Sequence, residues 1–281
     1  NKYHGDIVTR GHGAYGIWAT SDDDTAFASN KYASSIVTYG EGSTGIRVVA
    51  SGEYGAYGEG YDAGAYNIAS SITTHGDEAA GISIISYEGD VDVVNASASE
   101  EYDPELPGAA ITTYGDDADG MEAHAEYGTV QAYSSGAIDT SGEESHGIDV
   151  SGQTVEVYNS GTIRTRGDYS HGILASSASD HTTTVRNDGL IMVTGEDANG
   201  INASGLRVDD DRRVLLADVA PFAGADLRIE IDDRDGQTRR DGLGGKRDGQ
   251  RGFAGPALLA DERYGLHADL HPCRTGEKYT F

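Results

Sequence analysis

The sequence predicts an all-β fold, a parallel β-helix in which successive coils stack to form a solenoid. The motif Ile-x-(Thr/Val)-x-Gly-x-x-(Ala/Ser)-x-Gly-(Ile/Met) occurs seven times between residues 7 and 201. The chain holds 40 glycines and only 5 prolines, which favours frequent tight turns over a proline-rich disordered segment. A helical solenoid is excluded, because each interior glycine would cost a helix about 1 kcal/mol.

Each copy of the motif predicts a strand, a glycine-rich turn and a second strand, and a third strand ending in an Asn/Ser-Gly turn precedes several copies, as in Val155-x-Val157 before Asn159-Ser160-Gly161. In Ile-x-Thr the two residues alternate with a period of two, so both face the same side of a strand. We expect the two glycines to supply turn angles that residues with a Cβ resist. Because one coil cannot cover its own apolar face, stacking should bury the isoleucines in one column. The copies begin at Ile7, Ile36, Ile72, Ile111, Ile138, Ile163 and Ile191.

The motif ends before residue 206, which predicts a boundary there. Residues 1–205 are predicted to form the β-helix repeat domain, and residues 206–281 a low-complexity, irregular C-terminal tail. Within the tail, residues 209–252 should show little regular structure. Two insertions lengthen the repeat domain, a tyrosine-rich one at Gly52–Tyr66 and an acidic one at Asn95–Gly108. Such insertions in solenoids either carry function or are tolerated surface loops.

The charge and the cysteine content restrict the classes of partner. A net charge of −27 disfavours nucleic acid and anionic lipid surfaces as partners, and a highly acidic surface is most often a solubility device. No apolar run is long enough for a transmembrane helix, so membrane insertion by this segment is not expected. Cys273 is the single cysteine, so no intrachain disulfide can form; this suits both the cytosol and bacterial secretion.

Two stretches resemble the passenger regions of bacterial autotransporters, surface proteins of the type V secretion pathway. They are SGTIRTRGDYSHGILASS at 160–177 and DGLIMVTGEDANGINAS at 188–204. The resemblance covers residues 1–205. It implies a right-handed parallel β-helix of about seven coils, followed by an irregular tail. It also implies a secreted or outer-membrane surface location, where the complete gene would add a C-terminal barrel that this chain lacks.

The sequence carries no nucleophile elbow, zinc-protease motif, P-loop or dinucleotide-binding fingerprint. No catalytic residue, cofactor or metal ion is therefore expected. The favoured function is non-enzymatic, adhesion or display by a passenger that contacts a host or neighbouring-cell glycan or protein. The alternative is a polysaccharide lyase or glycoside hydrolase on the same scaffold, and two acidic residues paired in a cleft would favour it.

The candidate partner-binding residues are outward-facing aromatic side chains. Tyr39, His75 and Tyr114 occupy equivalent positions in successive repeats and should form an aromatic strip. The tyrosines of the first insertion would extend this surface, and the ones singled out are Tyr54, Tyr57 and Tyr61. Stacking on sugars and docking on a partner protein are both open to such a surface.

Two further columns have both a structural and a functional interpretation. Carboxylates follow the first glycine of most repeats, and in stacked coils they would form a stripe that either is simply solvated or binds Ca²⁺. His146 and His171 precede the second glycine of neighbouring repeats. They could share a metal ion, but the absence of a third ligand favours a plain stacked pair.

Overall fold

The computed structural model of this protein describes residues 5–22, 24–51, 62–98 and 106–205, together with the backbone of two short strands farther along the chain. The chain separates into two compact units, Asn1–Gln237 and Thr238–Phe281. The second unit lies wholly outside the described residues. Within the described residues there is no helix, so no helix there could span a membrane.

Three parallel sheets form the walls of a right-handed β-helix, and the chain visits them in turn. The first sheet contains β1 (Asp6–Thr9), β4 (Ser35–Thr38), β7 (Ser71–Thr74), β10 (Ala110–Thr113), β13 (Ala137–Thr140), β16 (Thr162–Thr165) and β19 (Leu190–Val193). The second contains β2 (Ile17–Ser21), β5 (Ile46–Ala50), β8 (Ile82–Ser86), β11 (Met121–Ala125), β14 (Ile148–Gly152), β17 (Ile173–Ser177), β20 (Ile201–Ser204) and β22 (Ile231–Asp232). The third contains β3 (Ala26–Lys31), β6 (Ala63–Ile68), β9 (Val91–Ala96), β12 (Thr129–Ser134), β15 (Thr154–Asn159), β18 (Thr182–Asn187) and β21 (Arg207–Arg212).

The predicted isoleucine column is confirmed. The seven motif isoleucines pair in register along the first sheet, Ile7 with Ile36 and so on to Ile191. The five inner ones are fully buried, whereas Ile7 and Ile191 at the two ends are half-buried. The motif threonines stack beside them, also facing inward. Apolar residues from the other two sheets complete the core, and the burial of this shared face holds the coils together.

The motif glycines are required for a reason that differs from the expected one. At Gly76, a Cβ would overlap the carbonyl oxygen of Gly40 in the preceding coil. At Gly81, a Cβ would overlap the side chain of Ile111 in the following coil. Neither glycine has a positive φ. The expectation that both glycines supply unusual backbone angles was therefore wrong: they allow coils to approach closely.

The left-handed backbone conformation falls two residues after the first motif glycine. Gly13 and Gly42 have φ of 63° and 64°, but in the next five coils the position is held by other residue types. Those residues are Glu78, Asp117, Glu144, Tyr169 and Asp197, with φ between 51° and 59°. A left-handed non-glycine residue is uncommon. The surrounding hydrogen bonds hold it here, since Glu78 donates its backbone N–H to Asp116 of the next coil at 2.8 Å.

A buried asparagine column lies at the end of the third-sheet strands. Asn30 donates from Nδ2 to Oδ1 of Asn67 at 3.0 Å, and Asn67 donates in the same way to Asn95 at 2.9 Å. Asn159 donates to Asn187 at 2.7 Å. Ser134 occupies the same register between Asn95 and Asn159, and its buried hydroxyl has no hydrogen-bond partner. The column joins adjacent coils at the turn that follows each strand.

Strand residues extend into both predicted insertions and into the first residues of the predicted tail. Tyr66 belongs to β6 and Asn95 to β9, so the described part of each predicted insertion includes strand residues. The strand β21 extends the third sheet past residue 205 and covers the first four residues of the stretch 209–252. Apart from β22, the rest of that stretch lies outside the described residues. The domain boundary at residue 205 stays a prediction.

Candidate interaction surface and acidic depression

Tyr39, His75 and Tyr114 form a continuous stack on the outside of the first sheet, here called the aromatic row. Each follows the last residue of its strand, directly after an inward-facing motif threonine, and alternation along the chain turns it outward. The rings of Tyr39 and His75 have centroids 4.7 Å apart and are 2° from parallel. His75 and Tyr114 are 4.8 Å apart and 6° from parallel. The predicted outward strip is therefore present, and its binding role stays a prediction.

The aromatic row is exposed and held in register by the backbone. Tyr39 and Tyr114 are 47% and 53% exposed. The backbone N–H of His75 donates to Thr38 at 3.0 Å, and that of Tyr114 donates to Thr74 at 3.1 Å. Because strand pairing sets the positions of the three residues, little side-chain entropy would be lost when a partner binds.

Stacking determines which part of each ring a partner can reach. The ring faces lie against one another, and the guanidinium of Arg10 covers the remaining face of Tyr39 at 5.1 Å. Apart from the far side of the Tyr114 ring, the aromatic row therefore presents ring edges, two phenol hydroxyls and an imidazole rather than flat faces. Hydroxyl and imidazole groups both donate and accept hydrogen bonds, so the geometry suits a polar ligand.

The predicted extension of this surface is only partly covered by the described residues. Tyr54, Tyr57 and Tyr61 lie outside them, so their place relative to the aromatic row stays a prediction. Tyr66 is described, and it faces outward from the third sheet, where its ring stacks with Phe27 at 6.5 Å. It therefore lies on a different wall of the β-helix from the aromatic row.

A second outward stack was not anticipated from the sequence. On the third sheet the rings of Tyr133 and Tyr158 are 5.4 Å apart, and the guanidinium of Arg186 lies 5.4 Å from the centre of the Tyr158 ring. Both Tyr158 and Arg186 hydrogen-bond to the carboxylate of Asp188. A signal was available, because the stretches VQAYS and VEVYN place tyrosine at the same point of consecutive repeats.

The stripe of carboxylates on the turns has a structural role. Oδ1 of Asp77 accepts the backbone N–H of Asp116 at 3.1 Å, and Oδ1 of Asp116 accepts that of Glu143 at 2.8 Å. Asp168 accepts the N–H of Glu196 at 2.8 Å. Each of these aspartates thus satisfies a donor of the next coil. Among the described residues, no group of three or more potential ligands has the arrangement of a metal site.

A column of polar side chains precedes the second motif glycine and also links successive coils. Oδ1 of Asp119 accepts the backbone N–H of His146 at 2.6 Å. Nδ1 of His146 accepts that of His171 at 2.9 Å, and Nδ1 of His171 accepts that of Asn199 at 2.9 Å. The two imidazole rings stack with centroids 5.1 Å apart. Burial, and then the neighbouring imidazole, lowers the pKa of His146 to about 4, and burial lowers the pKa of His171.

An open, shallow depression lies beside this column. Burial, and then the nearby Asp149 carboxylate, raises the pKa of Asp119 well above its usual range. Burial, and then Glu122, raises the pKa of Asp149 to about 6. Six residues line the depression, namely Asp117, Asp119, Glu144, His146, Asp149 and Tyr169. Two carboxyl groups whose pKa values are raised therefore share one site, and the sequence did not predict that they meet.

Three arginines on or beside strands of the first and third sheets are engaged in ion pairs. Arg164 and Arg166 both pair with the carboxylate of Asp139, and Arg186 pairs with Asp188 at 2.8 Å. An anionic polysaccharide would have to displace these carboxylates before it could use the guanidinium groups. The ion pairs therefore disfavour a polyuronate substrate.

The three stacked parallel sheets and the repeat place this chain in the class of parallel β-helix proteins. Comparisons with protein-family models, with curated proteins and with solved structures find no match for it. The fold class therefore stands on the strand topology and on the motif columns alone.

Proposed function

We propose that this chain is a non-enzymatic β-helical passenger, resembling those of bacterial autotransporters, that acts by adhesion or display at the cell surface. The aromatic row is the observation that carries the proposal. It places three exposed hydrogen-bonding rings in a straight line on a rigid sheet, and a rigid presentation lowers the entropic cost of binding.

The chemistry around the aromatic row favours a partner without net negative charge. Glu41, Asp77 and Asp116 follow the three rings on the adjoining turns, and the whole chain carries −27. An anionic ligand would be repelled by these carboxylates. A neutral or amino-bearing glycan on a host or neighbouring cell fits the polar ring edges, and a protein with a hydrogen-bonding surface is the other partner to be distinguished.

Binding is tested with the full chain by exchange of Tyr39 and Tyr114 for alanine. Both side chains point away from the core, so the variant should keep the far-UV circular dichroism and melting temperature of the unmodified protein. Binding to cells and to glycan arrays should fall about tenfold or more, because each exposed anchor is worth about 1–2 kcal/mol against a partner. Two measurements separate the two kinds of partner. A glycan partner predicts binding to the arrays and to cells treated with protease, whereas a protein partner predicts that protease treatment of the cells abolishes binding.

The matched control is the exchange of Tyr87 and Tyr133 for alanine. These tyrosines are also exposed, at 45% and 37%, but lie away from the aromatic row. The control should bind as the unmodified protein does. Equal binding by the Tyr39 and Tyr114 variant would refute the assignment of the recognition surface.

A secreted or outer-membrane surface location is part of the proposal, and it rests on the resemblance of residues 160–177 and 188–204 to autotransporter passengers. Expression of the complete gene in a bacterial host tests it. Intact cells treated with an external protease should lose the β-helix while cytoplasmic proteins are preserved. Protection of the β-helix in intact cells would contradict a surface location.

A glycoside hydrolase is the second candidate, and the depression that contains Asp119 and Asp149 favours it. A carboxyl group whose pKa is near 6 can serve as a general acid at neutral pH. The open shape of the depression weighs against it, because a cleft that encloses the sugar is what would exclude water from the reacting bond. Release of reducing sugar from a panel of neutral polysaccharides, abolished by Asp149→Asn, would support hydrolysis and contradict the adhesion proposal.

A further inference from the structure

The hydrogen bonds of His146 and His171 require both rings to be neutral. In each case Nδ1 accepts a backbone N–H of the following coil, at 2.9 Å, so this nitrogen carries no proton. The proton of each neutral ring is therefore on Nε2. In His171 this nitrogen lies 3.2 Å from Nδ2 of Asn202, and with a proton on Nε2 a hydrogen bond between the two side chains requires the Asn202 amide to be turned so that Oδ1 accepts. The two rings lie face to face, with their centroids 5.1 Å apart.

Protonation would break these contacts in two ways. A doubly protonated imidazole has no acceptor, so the backbone N–H of His171 or of Asn199 would lose its partner inside the turn. In addition, two imidazolium rings at this separation would repel each other in a partly buried setting. One coil before His146, the equivalent residue is Asp119, and its Oδ1 accepts the backbone N–H of His146. One coil after His171, the equivalent residue is Asn199, which carries a side-chain amide.

The carboxyl groups around the histidines offer reduced compensation for charge on the imidazoles as the pH falls. The titratable groups around this site are Asp117, Asp119, Glu122, Glu144, Asp149 and Tyr169, with Asp197 one coil further in the position equivalent to Tyr169. Burial raises the pKa of Asp149 to about 6 and that of Asp119 well above its usual range, so each of these two carboxyls gains its proton at a higher pH than an ordinary aspartate. Their negative charge is therefore weakened over the pH range in which a histidine would gain its proton.

We propose that the stacked histidines form an acid-sensitive clamp, which joins the coils of β14, β17 and β20 while both imidazoles are neutral and releases them on protonation. This is a conformational property of the β-helix and does not depend on the adhesion proposal. It would lower the stability of the part of the solenoid that contains His146 and His171 as the pH falls below about 6.5, while the aromatic row lies on earlier coils.

The sign of the effect follows from the pKa values of the imidazoles. A histidine whose folded pKa is lowered stabilises the fold above its unfolded pKa near 6.5, and this contribution is lost as the pH falls. With a folded pKa of about 4 for His146, the unfolding equilibrium constant should rise roughly 70-fold between pH ~7.5 and pH ~4.5 from this residue alone. Protonation of His171 adds to it in the same direction.

The test is urea unfolding of the full chain at both pH values, with and without exchange of His146 and His171 for asparagine. Asparagine keeps an acceptor in the column, as Asp119 and Asn199 suggest, but does not titrate. Between the two pH values, the unfolding equilibrium constant of the unmodified protein should rise at least about 70-fold more than that of the double variant. The carboxyl groups contribute alike in both proteins, so the difference isolates the imidazoles.

His124→Asn is the matched control, since His124 is exposed and contacts Ser151 outside the column. It should keep the pH dependence of the unmodified protein. If the double variant loses as much stability in acid as the unmodified protein, the clamp is refuted. If the double variant does not fold, NMR titration of the unmodified protein decides instead. Protons on Nε2 and no titration above pH ~5 support the clamp, whereas titration of both rings near ~6.5 in the folded state overturns it.

Discussion

Ser134 interrupts the buried asparagine column of the third sheet, and Ser134→Asn should repair it. Ser134 pairs in register with Asn95 on one side and with Asn159 on the other. Its hydroxyl is buried without a hydrogen-bond partner. Asn67 shows what an amide does in this column, because it accepts from Asn30 at 3.0 Å and donates to Asn95 at 2.9 Å.

The expected gain follows from the hydrogen bonds that the new amide can form. It would accept from Nδ2 of Asn95 and donate towards Oδ1 of Asn159, and it would replace a hydroxyl that has no partner. Two bonds worth about 0.5–1.5 kcal/mol each, less the cost of ordering the longer side chain, leave a stabilisation of about 1–2 kcal/mol. For a domain of this size that corresponds to a melting temperature raised by roughly 2–8 °C.

Thermal unfolding followed by far-UV circular dichroism measures this change, with Asn67→Ser as the reverse exchange. The reverse variant should be destabilised, because Asn30 and Asn95 each lose a partner for a buried amide group. If Ser134→Asn leaves the melting temperature unchanged or lowers it while Asn67→Ser is harmless, the amide column does not stabilise the coils and the reasoning fails.

Three further predictions concern the core and the acidic depression. Gly81→Ala should lower the free energy of unfolding by several kcal/mol or prevent folding, because the added methyl overlaps Ile111. Chemical denaturation measures this free energy, and a loss below about 1 kcal/mol would contradict the close approach of the coils. Ile111→Ala should cost about 2–5 kcal/mol by leaving a cavity in the column, whereas the same exchange at half-buried Ile191 should cost less. Because the pKa of Asp149 is raised to about 6 in the fold, its protonated carboxyl stabilises the fold below pH ~4, and this contribution is lost as the pH rises through about 6. Asp149→Asn should therefore flatten the fall in the free energy of unfolding over that pH range, as measured by chemical denaturation.

The repeat alone was enough to predict the walls of the β-helix. Ile36, Ile72 and Ile111 share a position in the motif, and a residue repeated at equivalent positions in stacked coils must lie in one column. The same logic placed Tyr39, His75 and Tyr114 on the outside, because they follow an inward-facing threonine by one residue. The repeat did not show that the three rings use their faces to stack on one another.

The second tyrosine stack could have been predicted by the same comparison of repeats, but the third strand of each coil follows loops of varying length. Tyr133 and Tyr158 nevertheless align when they are counted back from the next motif isoleucine, and β12 pairs with β15 in that register. The asparagine column was harder to find, since Asn67 and Asn95 fall in or beside stretches that the sequence presents as insertions.

The sequence by itself determined the fold class, the isoleucine column and the outward aromatic positions, because a strict repeat makes the environment of one coil the environment of all. Only the tertiary structure decided why the motif needs its glycines, which side chains bridge neighbouring coils, and where titratable groups meet. Those properties depend on distances between coils: a Cβ at Gly76 is excluded by Gly40, and the pKa of His146 falls through burial and through His171. Residues 25 to 40 positions apart in the chain are adjacent across one strand spacing, and pairing them requires the register of the sheets.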